Sequence, residues 1–103
     1  MSKISLEIGL VDKITKHQEL STMEARKTIE KIVSHYGIIY SLDEGQKSSK
    51  NKSGSILNEN ILKLEFPDIT KEIALEVIES IKTTLNIEGI WLHEIISENT
   101  KVV

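Results

Sequence analysis

The sequence contains no cysteine, which excludes disulfides, thiolate metal sites and a cysteine nucleophile and suits a reducing compartment. Aromatic residues are scarce, with one Trp, one Phe and two Tyr, and an RNA-recognition sheet needs aromatics to stack bases. Positive charge is not in excess either: 13 Lys and Arg stand against 16 Asp and Glu, for a net charge of −3. Nothing in that balance draws the chain to nucleic acid or to an anionic membrane, so any anion site has to be local. No window approaches the roughly 18 to 20 consecutive apolar residues of a membrane span. The opening Met1-Ser2-Lys3-Ile4 soon alternates with polar residues instead of building a signal-peptide core. A cytoplasmic protein is expected.

What is present suffices for folding. The chain has 103 residues, 39% apolar and 28% charged, enough to bury a modest core and unlike a disordered segment. One domain over residues 1–103 is expected. Ile4, Leu6, Ile8 and Leu10 alternate with polar residues and Gly9, the pattern of a strand with one buried face. A long polar connection, 11–19, leads to Ser21-Thr22-Met23-Glu24, a capping box that opens a helix. Its stripe is Ala25, Ile29, Ile32, Val33 and Tyr36, and Gly37 is the stop.

Residues 37–42 read as a second strand, and the polar tract Asp43 to Ser55 as the loop after it. Leu62, Leu64 and Phe66 form a third strand that Pro67 should end, for want of an N–H. Asp68 or Thr70 can cap a second helix with Ile73, Ala74, Val77, Ile78, Ile81 and Leu85 on its apolar face, and Ile90 to Ile96 gives the last strand. The order β-α-β-β-α-β predicts an α+β, ferredoxin-like fold, a four-stranded antiparallel sheet with two helices on one face. Such a fold carries many functions.

Specific chemistries can then be tested. The open faces of the central strands present Glu7, Gly9, Lys63 and Glu65, none of them aromatic, so nucleic acid is not an expected partner. An acylphosphatase-like site needs an arginine in the first loop, yet the only one, Arg26, lies in the first helix. His17, His35 and His93 match no metal spacing, and neither a metal nor a cofactor is expected. His35 suits the carbonyls at a helix end, while His93 shares the open face with Trp91 and has no nucleophile and carboxylate set beside it. The tract with Lys47, Lys50 and Lys52 can line a phosphate site or be a solvated hairpin tip. Trp91 and Ile95, with Ile39 or Tyr40 depending on register, form a patch that another copy of the chain or the tail Thr100 to Val103 would cover. A homo-oligomer is the preferred reading.

The string Leu6-Glu7-Ile8-Gly9-Leu10-Val11-Asp12-Lys13, followed by Thr15-Lys16-His17-Gln18-Glu19 and Ser21-Thr22-Met23-Glu24-Ala25, resembles the opening of a group of small proteins from phages and prophages of low-GC Gram-positive bacteria. That opening runs close to N-D-K-D-T-K-x-Q-E, from which Val11 and Ile14 depart. The stretch Gly54 to Leu62 is similar to the second half of the same group, where a glycine turn precedes a glutamate and a leucine-rich strand. The resemblance implies an accessory, counter-defence role in the cytoplasm of a host cell. The favoured expectation is a non-catalytic protein that sequesters a small anionic ligand, nucleotide-derived, where subunits meet. Its candidate residues are Lys13, Thr15, Lys16 and Gln18 from the first loop, Lys47 from the hairpin, and Asn58, Glu59, Trp91 and His93 from the strands. The alternatives are an inhibitor of a host protein, using the sheet face or the acidic second helix, and a small oligomeric enzyme with His93 or Glu59 as base.

Overall fold

A computed structural model describes residues 2–50, 53–87 and 89–96. The elements run β1 (Ser2–Gly9), α1 (Thr22–Ser34), β2 (Ser41–Lys50), β3 (Ile56–Ile69), α2 (Lys71–Leu85) and β4 (Ile90–Ile96). The strands form one antiparallel sheet in the order β2-β3-β1-β4, which is the ferredoxin-like arrangement.

Alternation in β1 sends Ile4, Leu6 and Ile8 to the helix side, where none is exposed, and they meet Leu62, Leu64 and Phe66 of β3 in register. Ala25, Ile29 and Val33 of α1 and Ala74, Val77 and Ile81 of α2 close the core from above. Ile32, Ile73 and Ile78, expected in that core, are only partly buried and pack along its margin. Both helices start as their sequences require. The Ser21 hydroxyl accepts from Glu24 N at 3.1 Å and donates to its carboxylate at 3.0 Å, and Thr70 accepts from Ile73 N at 3.3 Å. Asn86 ends α2 in the left-handed region, φ 54°, a conformation asparagine tolerates.

Two strand boundaries depart from expectation. β2 begins at Ser41 and runs through the polar tract expected to be a loop, while Ile38 and Tyr40 only pack against the core and Ile39 is exposed. The reason lies in topology. β1 pairs with β3 no further than Gly9↔Ile61, so residues 46–50 and 56–60 form a two-stranded ribbon beyond the central sheet. With both of its faces away from the core, the ribbon needs no apolar alternation.

β3 likewise does not stop at Pro67. The register shifts from Ile4↔Phe66 to Ser2↔Ile69, so the proline falls in a bulge, where its missing N–H leaves no ladder bond unmade. Among the described residues no helix is long and apolar enough to cross a membrane. The tail Thr100 to Val103, Lys52 and the side chain of Ile95 lie outside the described residues.

Candidate functional site

The face of the sheet opposite the helices carries Glu7 at its centre. In register, Glu7 of β1 stands between Lys63 of β3 and Trp91 of β4. His93 Nε2 lies 3.3 Å from Glu7 Oε1, and Lys47 Nζ lies 3.9 Å from Glu7 Oε2. The same ammonium sits 3.7 Å from the centroid of the Trp91 ring, within cation–π range. One carboxylate of β1 therefore gathers an ammonium from β2 and an imidazole and an indole from β4.

Glycines shape the floor beside this cluster. Gly9 N donates to Gly89 O at 2.7 Å, and a Cβ at position 9 would collide with the Glu59 carboxylate, which lies over the backbone there. A Cβ at Gly89 would come 3.4 Å from the Trp91 ring. Gly45 and Gly9 flank Ile61 in register, and Ile61, though on this face, is only 2% exposed. Glu59 is the cross-strand partner of Lys47.

Of the residues singled out in the sequence, Lys47, Glu59, Trp91 and His93 share this face. Asn58 does not, because it is one residue out of phase with Glu59; its Oδ1 accepts from Ser48 Oγ at 2.7 Å on the other side of the ribbon. The first-loop residues lie elsewhere, and the side chains of Thr15 and Gln18 hold the loop. Thr15 Oγ1 donates to Glu19 at 2.6 Å. Gln18 donates to Leu20 O and Thr22 Oγ1 and accepts from Asn60 Nδ2 at 2.9 Å. Lys13 is fixed by its backbone N–H to Asn86 O at 3.0 Å, and Lys16 has φ 63°.

The keystone of that loop is Asp12, which sequence reasoning did not select. Its Oδ1 accepts from Ile14 N and Thr15 N, and its Oδ2 accepts from Asn86 Nδ2. The Thr15 amide first, then the Asn86 side chain and the Ile14 amide, hold its carboxyl below the ordinary aspartate range. Glu7 was also missed as a site residue. The signal was an acid in the middle of a central strand, on the face that no helix covers.

Among the described residues no cluster of three or more His, Asp or Glu is arranged to hold a metal. A groove of about 690 Å³ runs between the helices, lined by Lys31, His35, Tyr36 and Thr84 among others, on the opposite side of the sheet from Glu7.

No protein-family model matches the chain, and no curated protein does. Solved structures match. A phage SAM lyase in complex with S-methyl-5'-thioadenosine aligns with a TM-score of 0.56 at 16% identity, covering 91% of this chain and 79% of that one. The apo state of phage SAM lyase gives 0.60 at 14% identity, covering 91% and 78%. The B. subtilis GlnK-ATP complex gives 0.53 at 11% identity, covering 91% and 82%. The likeness is one of fold.

That likeness nonetheless overturns the expectation of a protein without turnover, because this architecture is also that of a lyase. The expectation rested on missing thiols, triads and phosphate loops. Those absences remove the most familiar signatures of turnover and do not bear on other chemistries. A substrate that carries its own leaving group requires neither from the protein.

Proposed function

We propose that the protein is an enzyme that cleaves a carbon–sulfur bond in an adenosine-bearing sulfonium, S-adenosylmethionine or a near relative, and that the cluster around Glu7 binds it. The observation that carries this reading is the meeting of a carboxylate, an indole face and an ammonium on one uncovered sheet face. A sulfonium is attracted to the first two, and adenine is a planar partner for aromatic or apolar surface. The solved structures of the same fold support an adenosine-bearing ligand, since S-methyl-5'-thioadenosine and ATP both contain adenosine.

The chemistry asks little of the protein's own functional groups. As the bond from sulfur to the γ-carbon breaks, its electron pair stays on sulfur, and neutral S-methyl-5'-thioadenosine leaves. The four-carbon fragment balances without water when its own carboxylate closes on the γ-carbon to form a lactone. Nucleophile and leaving group both belong to the substrate, so catalysis consists of folding the methionyl arm into a near-attack geometry and excluding water. We assign Glu59 to the substrate's ammonium, and Glu7, Trp91 and His93 to the walls of the site. Copies of the chain would meet over the same sheet face and shield the site. In a phage setting, which the opening motif resembles, depletion of a host methyl donor would serve counter-defence.

Incubation of purified protein with S-adenosylmethionine, followed by mass spectrometry, tests the reading. Time-dependent S-methyl-5'-thioadenosine in excess over protein is expected. Intact S-adenosylmethionine after prolonged incubation would overturn it.

A further inference from the structure

Trp91 is the only tryptophan in the chain, and a cation already occupies its face. Lys47 belongs to β2, one edge of the sheet, and Trp91 to β4, the other edge. The lysine thus spans the open face to bring Nζ 3.7 Å from the ring centroid and 3.9 Å from Glu7 Oε2. Gly89 backs the ring, and His93 Nε2 holds the other oxygen of Glu7 at 3.3 Å. The result is a seat for one positive charge, with a π face on one side and a carboxylate on the other, and its present occupant is a flexible side chain of the protein itself.

Resting on the reading above, we propose that Lys47 is a placeholder in the seat of the substrate's sulfonium. The sulfonium takes the position between Trp91 and Glu7, and the Lys47 side chain swings out to solvent. Displacement is cheap, because the Lys47 and Glu7 side chains are 37% and 25% exposed and a long ion pair of partly solvated groups contributes little. The exchange is of like for like, one cation for another. It also distinguishes substrate from product. Cleavage turns the sulfonium into a neutral thioether, which no longer competes with an ammonium for the carboxylate and the indole, so Lys47 returns and favours release.

The seat makes a prediction opposite to that of an ordinary lysine contact. Titrations that follow Trp91 emission would compare S-adenosylmethionine with the neutral S-methyl-5'-thioadenosine in the parent, Lys47→Met and Lys47→Gln. With the internal competitor gone, both variants should bind S-adenosylmethionine about two- to fivefold more tightly, the range of an exposed cation–π contact, while the neutral ligand changes little. Trp91→Leu, titrated by calorimetry because it has no indole to emit, should narrow the preference for the charged ligand to what the carboxylates supply. Weaker binding of S-adenosylmethionine by both Lys47 variants would make the lysine a ligand for the substrate's carboxylate and overturn the proposal. An equal gain for both ligands would reduce Lys47 to a steric cover and overturn it too. Cleavage with no gain in the variants sinks the seat alone. The expected gain without cleavage sinks only the lyase reading.

Discussion

The carboxylate of Glu59 lies directly over the backbone of Gly9, and only the absence of a side chain at residue 9 permits it. The approach comes at the end of β1, where Gly9 also donates to Gly89 O at 2.7 Å and so ties the entrance of β4 to the exit of β1. A methyl group at position 9 would meet Glu59 and lie 3.1 Å from the Gly89 carbonyl oxygen. Gly9→Ala should therefore expel Glu59 and cost about 1–3 kcal/mol, the usual range for overpacking. Adding Glu59→Ala should restore only part of that loss, because the methyl group still lies 3.1 Å from the Gly89 carbonyl oxygen. Urea denaturation of the two variants checks both statements, and a Gly9→Ala chain as stable as the parent would show that the approach matters little.

The core offers a sharper contrast in energy. Phe66 is fully buried between β1 and the helices, so Phe66→Ala should cost about 3–5 kcal/mol through lost transfer energy and the cavity left behind. Ile78 is only partly buried at the rim, and Ile78→Ala should shift the denaturation midpoint by a clearly smaller amount. Equal shifts would place Ile78 in the core after all.

These two regions also mark what was legible in the sequence. Period-two alternation in β1 and the i, i+4, i+7 stripes of the helices report burial on one side, which is why Ile4, Leu6, Ile29 and Val77 could be assigned to the core before any coordinates. The ribbon of β2 and β3 carries no such signal, because its ladder of backbone hydrogen bonds holds solvated residues such as Lys47 and Asn58. The site suffered from the same limit. Lys47, Glu7 and Trp91 are brought together by strand order and by the reach of a long side chain, and neither can be read from local spacing. Asn58 and Glu59 show how a one-residue difference in phase sends neighbours to opposite faces. The first loop looked like a ligand site because it is rich in polar groups. Asp12, Thr15 and Gln18 spend those groups within the loop and on its anchors, Asn86 at the end of α2 and Asn60 of β3.

Asp12 gives the loop a pH dependence. Its carboxyl is held below the ordinary aspartate range by the Thr15 amide, the Asn86 side chain and the Ile14 amide. A depressed folded value means that the ionised form stabilises the loop above the unfolded value, near pH 4. That contribution fades as pH falls through the lower folded value. Hydrogen exchange at the Ile14 and Thr15 amides should accordingly remain slow at neutral pH and, after correction for intrinsic rates, lose protection only below about pH 4. Asp12→Asn should lose protection at neutral pH and show little further change on acidification. The same acid profile in Asp12→Asn and the parent would assign the effect to another group.

Association over the open face predicts a dependence on Ser5. Ser5 lies between Glu65 of β3 and His93 of β4 in the middle of that face, one row from Glu7. The parent should sediment above monomer at concentrations of roughly tens of micromolar, where an interface of modest affinity is populated. Ser5→Arg, which inserts a long charged side chain into the centre of the contact, should shift the sedimentation coefficient toward monomer. A parent that is monomeric under these conditions would remove the assembly from the proposal.

The last prediction concerns how binding energy is used. If the sulfonium sits between Trp91 and Glu7, these groups attract a charge that disappears as the carbon–sulfur bond breaks. They then stabilise the bound substrate more than the transition state, so they lower KM without raising kcat. Trp91→Leu should raise KM for S-adenosylmethionine by about two- to thirtyfold, the span of cation–π contacts from exposed to desolvated. Its kcat should stay level or rise slightly, since the ground state has lost more than the transition state. The acceleration itself must come from groups that hold the methionyl arm, so Glu59→Gln should act mainly on kcat. A Trp91→Leu enzyme with unchanged KM and a depressed kcat would put the indole at the reacting atoms and reverse this assignment.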